Sequence, residues 1–148
     1  MSTSAGPAGP AGYSGTPLVR KLGIKPEAQL GLIAAPAGFD EVLGELPPGV
    51  RIRRRLGGSP FDVIVAFFPR RTELERRLPA LVGALDPAGG LWLAWPKRAS
   101  GVATDLTEVV VRSLGLATGL VDNKVCAIDQ VWSALRLVYR LRDRPTPP

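Results

Sequence analysis

Leu91-Trp92-Leu93-Ala94-Trp95, then Pro96-Lys97, Ser100-Gly101 and Thr104-Asp105-Leu106-Thr107-Glu108, is the stretch that decides how this chain is read. An unbroken apolar run that ends at a proline describes a strand buried on both faces, as in the middle of a parallel sheet. Ser100-Gly101 is turn chemistry. The hydroxyls and carboxylates that follow open a helix, with Thr104 or Asp105 expected as its cap and Glu108 completing a capping box. A strand that passes through a loop into a helix N-terminus marks the carboxyl edge of an open α/β sheet, where such sheets hold ligands.

The rest of the chain is read outward from that strand. Asp62 to Phe68 is another run apolar on both faces. Thr72 and Glu75 predict a capping box for a helix that carries Leu74, Leu78, Leu81, Val82 and Leu85 on one stripe and bends at Pro79. Asp86 to Gly90 reads as a turn. Further upstream, Thr16-Pro17 opens a short helix that stops at Gly23, Gln29 to Ala34 is a first strand, and Gly38 to Leu46 is a helix ended by Pro47-Pro48. Val50 to Leu56 reads as a second strand, with Val50 and Ile52 on one face and Arg51, Arg53 and Arg55 on the other, so it belongs at a sheet edge. The link at Gly57 to Phe61 is short for a parallel crossover: either this strand is very short and the chain crosses in extended form, or strands two and three are antiparallel.

Downstream, a helix from about Asp105 to Leu116 is expected to turn Leu106, Val109, Val110, Ser113 and Leu114 inward. Val121 to Ile128 and Ala134 to Leu141 form a hairpin around a turn at Asp129 to Ser133. The fold class is therefore α/β: an open, mostly parallel sheet of about six strands with helices on both faces and a C-terminal antiparallel hairpin. The expected organisation is one domain over residues 16–142, with flexible tails at 1–15 and 143–148.

Composition narrows the function classes. The chain has 148 residues, enough for one domain with a real core, and its longest apolar run, Val63 to Pro69, is too short to span a bilayer. The first sixteen residues are uncharged and lack an apolar stretch, so no secretory signal is read there, and a cytoplasmic protein with no membrane association is expected. One cysteine, Cys126, excludes an internal disulfide, and its strand setting makes it a packed thiol. There is no histidine, which removes histidine-based metal sites and Ser-His or Cys-His pairs; no metal is expected. Residues 49–77 hold eight arginines against three acids. Nucleic acid is disfavoured as their partner because no aromatic residue is interleaved with Arg51, Arg53 and Arg55, whereas an acidic protein partner suits an exposed arginine edge.

The candidate ligand site follows from the sheet reading. Lys97 would stand at the carboxyl end of a central strand, with Ser100, Gly101, Thr104 and Asp105 on one side and the hairpin tip, Asp129 and Trp132, on the other. Charge and free N–H groups there suit an anion such as a nucleotide or acyl phosphate. Trp92 and Trp95 are expected in the core, with Trp132 in a turn as the tryptophan open to a ligand or partner. Asp122-Asn123-Lys124 falls at the opposite end of the sheet and reads as structural.

The element order resembles the class I methyltransferase (Rossmann-like) fold, with one strand-helix unit missing after the second strand. More narrowly, Gly12-Tyr13-Ser14-Gly15-Thr16-Pro17-Leu18, Trp95-Pro96-Lys97 with Ser100-Gly101-Val102-Ala103-Thr104-Asp105-Leu106, and Gly119 to Asp129 are similar to an actinobacterial domain-of-unknown-function family. That resemblance implies the fold and a cytoplasmic bacterial setting, and brings no established activity with it. S-adenosylmethionine sites in the methyltransferase superfamily carry a Gly-rich loop after the first strand and an acidic residue ending the second. Here those positions read Ala35-Pro36-Ala37-Gly38-Phe39 and Arg53-Arg54-Arg55, so no cofactor is expected. The expected function is a non-catalytic binding or regulatory module with an anion-accepting site at the carboxyl ends of the strands. The alternatives are a small transferase or hydrolase on an anionic substrate, with Lys97 stabilising charge and Asp105 or Asp129 moving a proton, and non-specific nucleic-acid binding through the arginines.

Overall fold

The apolar runs pair into one six-stranded sheet. The structure, a computed structural model, describes residues 15–143. The strands are β1 (Gln29–Ile33), β2 (Arg51–Arg53), β3 (Phe61–Phe67), β4 (Leu85–Pro96), β5 (Val121–Ala127) and β6 (Trp132–Val138), in the spatial order β2-β1-β3-β4-β6-β5. Neighbours are parallel from β2 to β4, and β6 runs antiparallel to both β4 and β5. The expected class, a mostly parallel α/β sheet closed by an antiparallel hairpin, is the observed one. The expected tails lie outside the described residues apart from their inner ends. Among the described residues no helix is long and apolar enough to cross a membrane.

The sheet separates two cores because β3 and β4 carry apolar side chains on both faces. On one face Ile64, Ala66, Leu91, Leu93 and Trp95 pack with Leu74, Leu78 and Leu81 of helix α3 (Arg71–Ala84) and Val111 of helix α4 (Glu108–Leu116). On the other, Leu30, Leu32, Val65, Phe67 and Trp92 pack with Leu22 of helix α1 (Leu18–Leu22) and with Phe39 and Leu43 of helix α2 (Phe39–Leu43). Trp92 and Trp95 are core residues, as expected. The helices α1 and α2 have five residues each, so that face is covered more thinly than the α3/α4 face.

The short link between strands two and three resolves in favour of the extended crossing. Strand β2 keeps only three residues, and both β2 and β3 run parallel to β1, on either side of it. Arg53 is level with Gly31, and Gly31 with Ile64, so the chain descends only a few residues along the sheet to start β3 at Phe61. Arg53 holds this crossing. Its guanidinium donates to the carbonyls of Gly57 and Ser59 and lies 3.9 Å over the Phe61 ring. Gly58 has φ +77°, which favours glycine, and a Cβ there would stand 2.8 Å from Arg53 Nη1 and push the guanidinium tip aside.

Four local expectations are corrected. Asp86 to Gly90 is a bulge inside β4, between the pairings Phe61–Leu85 and Val63–Gly90, because the Asp86 carboxylate bonds the Ala88 amide at 2.8 Å and kinks a strand that stays paired. Among the described residues Thr16 and Thr72 cap nothing: the N-cap positions are Pro17 for α1 and Arg70 for α3, and neither side chain caps its helix. Helix α4 starts at Glu108, capped by Thr107, whose hydroxyl accepts from the Val110 amide at 3.2 Å. Its inward side runs through Val111 and Gly115, with Val110 and Leu114 packed partly buried against the same core, leaving Val109 69% exposed and Ser113 outside. The hairpin strand β6 begins at Trp132 and ends at Val138, so Trp132 is a half-buried strand residue, its ring edge-on to Phe67 at 5.1 Å.

Candidate functional site

At the carboxyl rim the end of β4 meets the hairpin tip, while Thr104 and Asp105 turn to α3 and Trp132 packs on the opposite face beside Phe67. The Lys97 amide donates to the Val131 carbonyl at 2.7 Å, and Pro96 is in register with Trp132, so the end of β4 and the hairpin tip form one wall. A tight turn follows at Arg98–Ser100, where the Ser100 hydroxyl donates to the Lys97 carbonyl at 2.7 Å and accepts from the Val102 amide at 3.2 Å. Gly101 closes that turn with φ +78°.

The polar groups of the rim are mostly braces. Thr104 donates through its hydroxyl to the Pro69 carbonyl at 2.6 Å and accepts from the Leu106 amide at 3.0 Å. Asp105 accepts from the Arg71 amide at 2.8 Å, so it caps α3, not its own helix. One carboxylate oxygen of Asp129 accepts from both the Val131 and Trp132 amides at 2.8 Å and closes the hairpin turn. Asp105 and Asp129 each keep a second oxygen with no hydrogen bond among the described residues. Lys97, half-buried, and Arg98, exposed, make no ion pair there and supply the positive charge of the rim. Beside them, on the α4 face, lies a cavity of about 470 Å³ lined by Trp95, Arg98, Gly101, Thr104, Thr107 and Glu108.

The arginines expected to form one outward row divide. Arg51 and Arg55 are exposed, but Arg53 is folded onto Phe61 and is half-buried, so it belongs to the crossing and not to a flat surface. Arg54 pairs with Asp40 at 2.8 Å. Arg112 joins α4 to β5 by donating to Asp122 at 3.0 Å, and to Glu108 at 2.7 Å along its own helix, which gives Asp122 the structural role expected of it.

In fold this chain is similar to a SAM-dependent methyltransferase from Aquifex aeolicus, with a TM-score of 0.59 and 15% identity over 81% of this chain and 86% of that one. It is also similar to magnesium protoporphyrin IX methyltransferase from Synechocystis PCC 6803 with bound SAH, with a TM-score of 0.55 and 13% identity over 83% of this chain and 78% of that one. No protein-family model and no curated protein matches the sequence. The fold is methyltransferase-like. At these identities the likeness defines architecture alone.

The residues present do not fit S-adenosylmethionine. The loop after β1 runs Ala34-Ala35-Pro36-Ala37-Gly38, with Ala34 at φ +57°. The backbone makes a left-handed bend there, yet methyl groups and a proline ring stand where close approach to a cofactor needs bare backbone. At the end of β2, where a carboxylate would meet the ribose, Arg54 instead reaches Asp40 in the first turn of α2, so the ion pair joins the two elements that would flank the cofactor.

Proposed function

We propose that this chain is a degenerate methyltransferase-like domain, a small transferase or hydrolase whose carboxyl rim takes an anionic substrate. The observation that carries the reading is the Lys97 amide bond to the Val131 carbonyl, which fixes the lysine beside the hairpin tip and next to the Arg98-lined cavity. In this reading Lys97 and Arg98 attract the anion and offset charge that develops on it. Gly101 and Thr104 line the cavity, Ser100 shapes the turn that carries Arg98, and Trp132 braces the hairpin tip from the opposite face. Asp105 or Asp129 moves a proton through the carboxylate oxygen that it does not use as a cap.

The test is thermal unfolding with phosphate-bearing metabolites. A stabilising shift in the wild type that Lys97→Ala abolishes is the expected result, and shifts that survive the substitution overturn the site. Calorimetry with millimolar S-adenosylmethionine should show no binding heat. Saturable heat would restore a cofactor site and reopen methyl transfer.

A second reading, a non-catalytic binding or regulatory module at the same rim, is favoured by one observation: both rim aspartates already cap backbone amides. Prolonged incubation separates the two. A metabolite that stabilises the protein and is recovered unchanged supports the module, and one that is consumed supports the enzyme.

A further inference from the structure

The thinly covered face of the sheet carries a second cavity, away from α4. Helix α1 has five residues and spans about 7–8 Å, too little to cover β4, β6 and β5 together. The Trp92 indole N–H donates to the Leu22 carbonyl at 3.0 Å, which seats the end of α1 over β4. Next to that seat is a cavity of about 560 Å³, lined by Arg20 and Lys21 of α1, by Trp92, and by Lys124 and Cys126 of β5. Its volume is within the range of small-molecule sites.

The charge on its wall is of one sign. Three cations line the cavity and, among the described residues, no carboxylate does. None of the three makes an ion pair among the described residues, whereas Arg54, Arg71, Arg76 and Arg112 all find acids nearby. Like charges facing one concavity repel, and low-dielectric walls concentrate their field on whatever enters. Lysine ammoniums act as point charges toward phosphate, and an arginine adds a fork of donors. Cys126 supplies a neutral floor, since burial pushes its thiol above the ordinary range, with the Lys21 ammonium opposing the shift.

We propose that this cavity binds a phosphate-bearing small anion, held by Arg20, Lys21 and Lys124, as a site separate from the carboxyl rim. The chain supplies its own reporter: Cys126 is the single cysteine, so alkylation by iodoacetamide, a neutral reagent, reads this cavity alone. With pyrophosphate at ten times its Kd, alkylation of the wild type should slow by roughly tenfold by mass action, and chloride at equal ionic strength should not slow it. Against each variant's own unliganded rate, Lys21→Ala and Lys124→Ala should lose the protection. Lys124 is exposed on an edge strand, so its variant carries the test if Lys21→Ala fails to fold. A rate indifferent to pyrophosphate, equal protection by chloride, or protection that outlives both lysine substitutions overturns the proposal. Protection lost in Lys97→Ala but kept in both of these variants moves the anion to the rim and overturns it as well.

Discussion

Asp105 and Arg71, 34 positions apart, are joined by a carboxylate-to-amide bond of 2.8 Å that ties the loop entering α4 to the first turn of α3. The first amides of a helix have no partner within it, and a carboxylate there satisfies one donor and complements the helix dipole. Asp105→Ala is expected to cost about 1 kcal/mol and to lower Tm by about 3 °C, whereas Asp105→Asn, which keeps the acceptor, should retain most of that stability. Thermal unfolding of the three proteins checks it. Equal losses in both variants would mean that charge, not capping, is what Asp105 contributes.

Arg53 and Phe61 set a second expectation. The guanidinium supplies two donors to the link and a cation to the ring, so its removal leaves the crossing unbraced. Arg53→Ala should destabilise by about 2 kcal/mol. Arg53→Lys should recover little of this, because an ammonium cannot reproduce the planar fork. Urea denaturation measures both, and a lysine variant as stable as the wild type would show that charge alone holds the link.

Much of the architecture was legible because burial on both faces leaves a direct mark. Leu91 to Trp95 reads as a central strand, and the position of Lys97 at its end follows without tertiary information. The capping assignments were not legible for a definite reason. Thr104, Asp105 and Thr107 are all cap-competent, and the choice is made by contacts from Pro69 and Arg71, more than thirty positions away. Periodicity likewise fixed a helix near Glu108 but not its rotation, since the valines at 109, 110 and 111 look alike until the start of the helix is known. Arg53 read as exposed because alternation reports which face a residue is on, and nothing local announces that Phe61 is within its reach. The gathering of Lys21, Lys124 and Cys126 depends on where α1 is seated, and no motif spans that separation.

The rotation of α4 can itself be tested. Val111 is buried and Val109 is not. Val111→Ala should cost about 2 kcal/mol, and Val109→Lys should stay within about 0.5 kcal/mol of the wild type. Gly115→Ala adds a probe of the same face, since its Cβ would stand 2.7 Å from Leu137 Cδ1. Overpacking of this kind costs about 1–3 kcal/mol and outweighs the gain of about 1 kcal/mol in helix propensity. A stabilised Gly115→Ala protein would show that α4 can lift off β6.

The last expectation concerns the pH dependence of Cys126. Burial raises its thiol above the ordinary value, and Lys21 partly counters this. A folded-state value above the unfolded one means that the folded protein holds the proton more tightly. The resulting stabilisation is complete below the ordinary thiol value of about 8.5 and is lost as pH rises through the folded value. Above that pH the wild type should lose stability more steeply than Cys126→Ser, which has no proton to release. The thiolate attacks iodoacetamide and displaces iodide, so alkylation of the folded protein should be slow at neutral pH and still rising above about pH 8.5. Lys21→Ala should slow it further at any fixed pH, because the ammonium that favours the thiolate is gone. A rate that levels off at or below the ordinary thiol value, or one that quickens when Lys21 is removed, would place Cys126 in a wetter setting than the wall between α1 and β5.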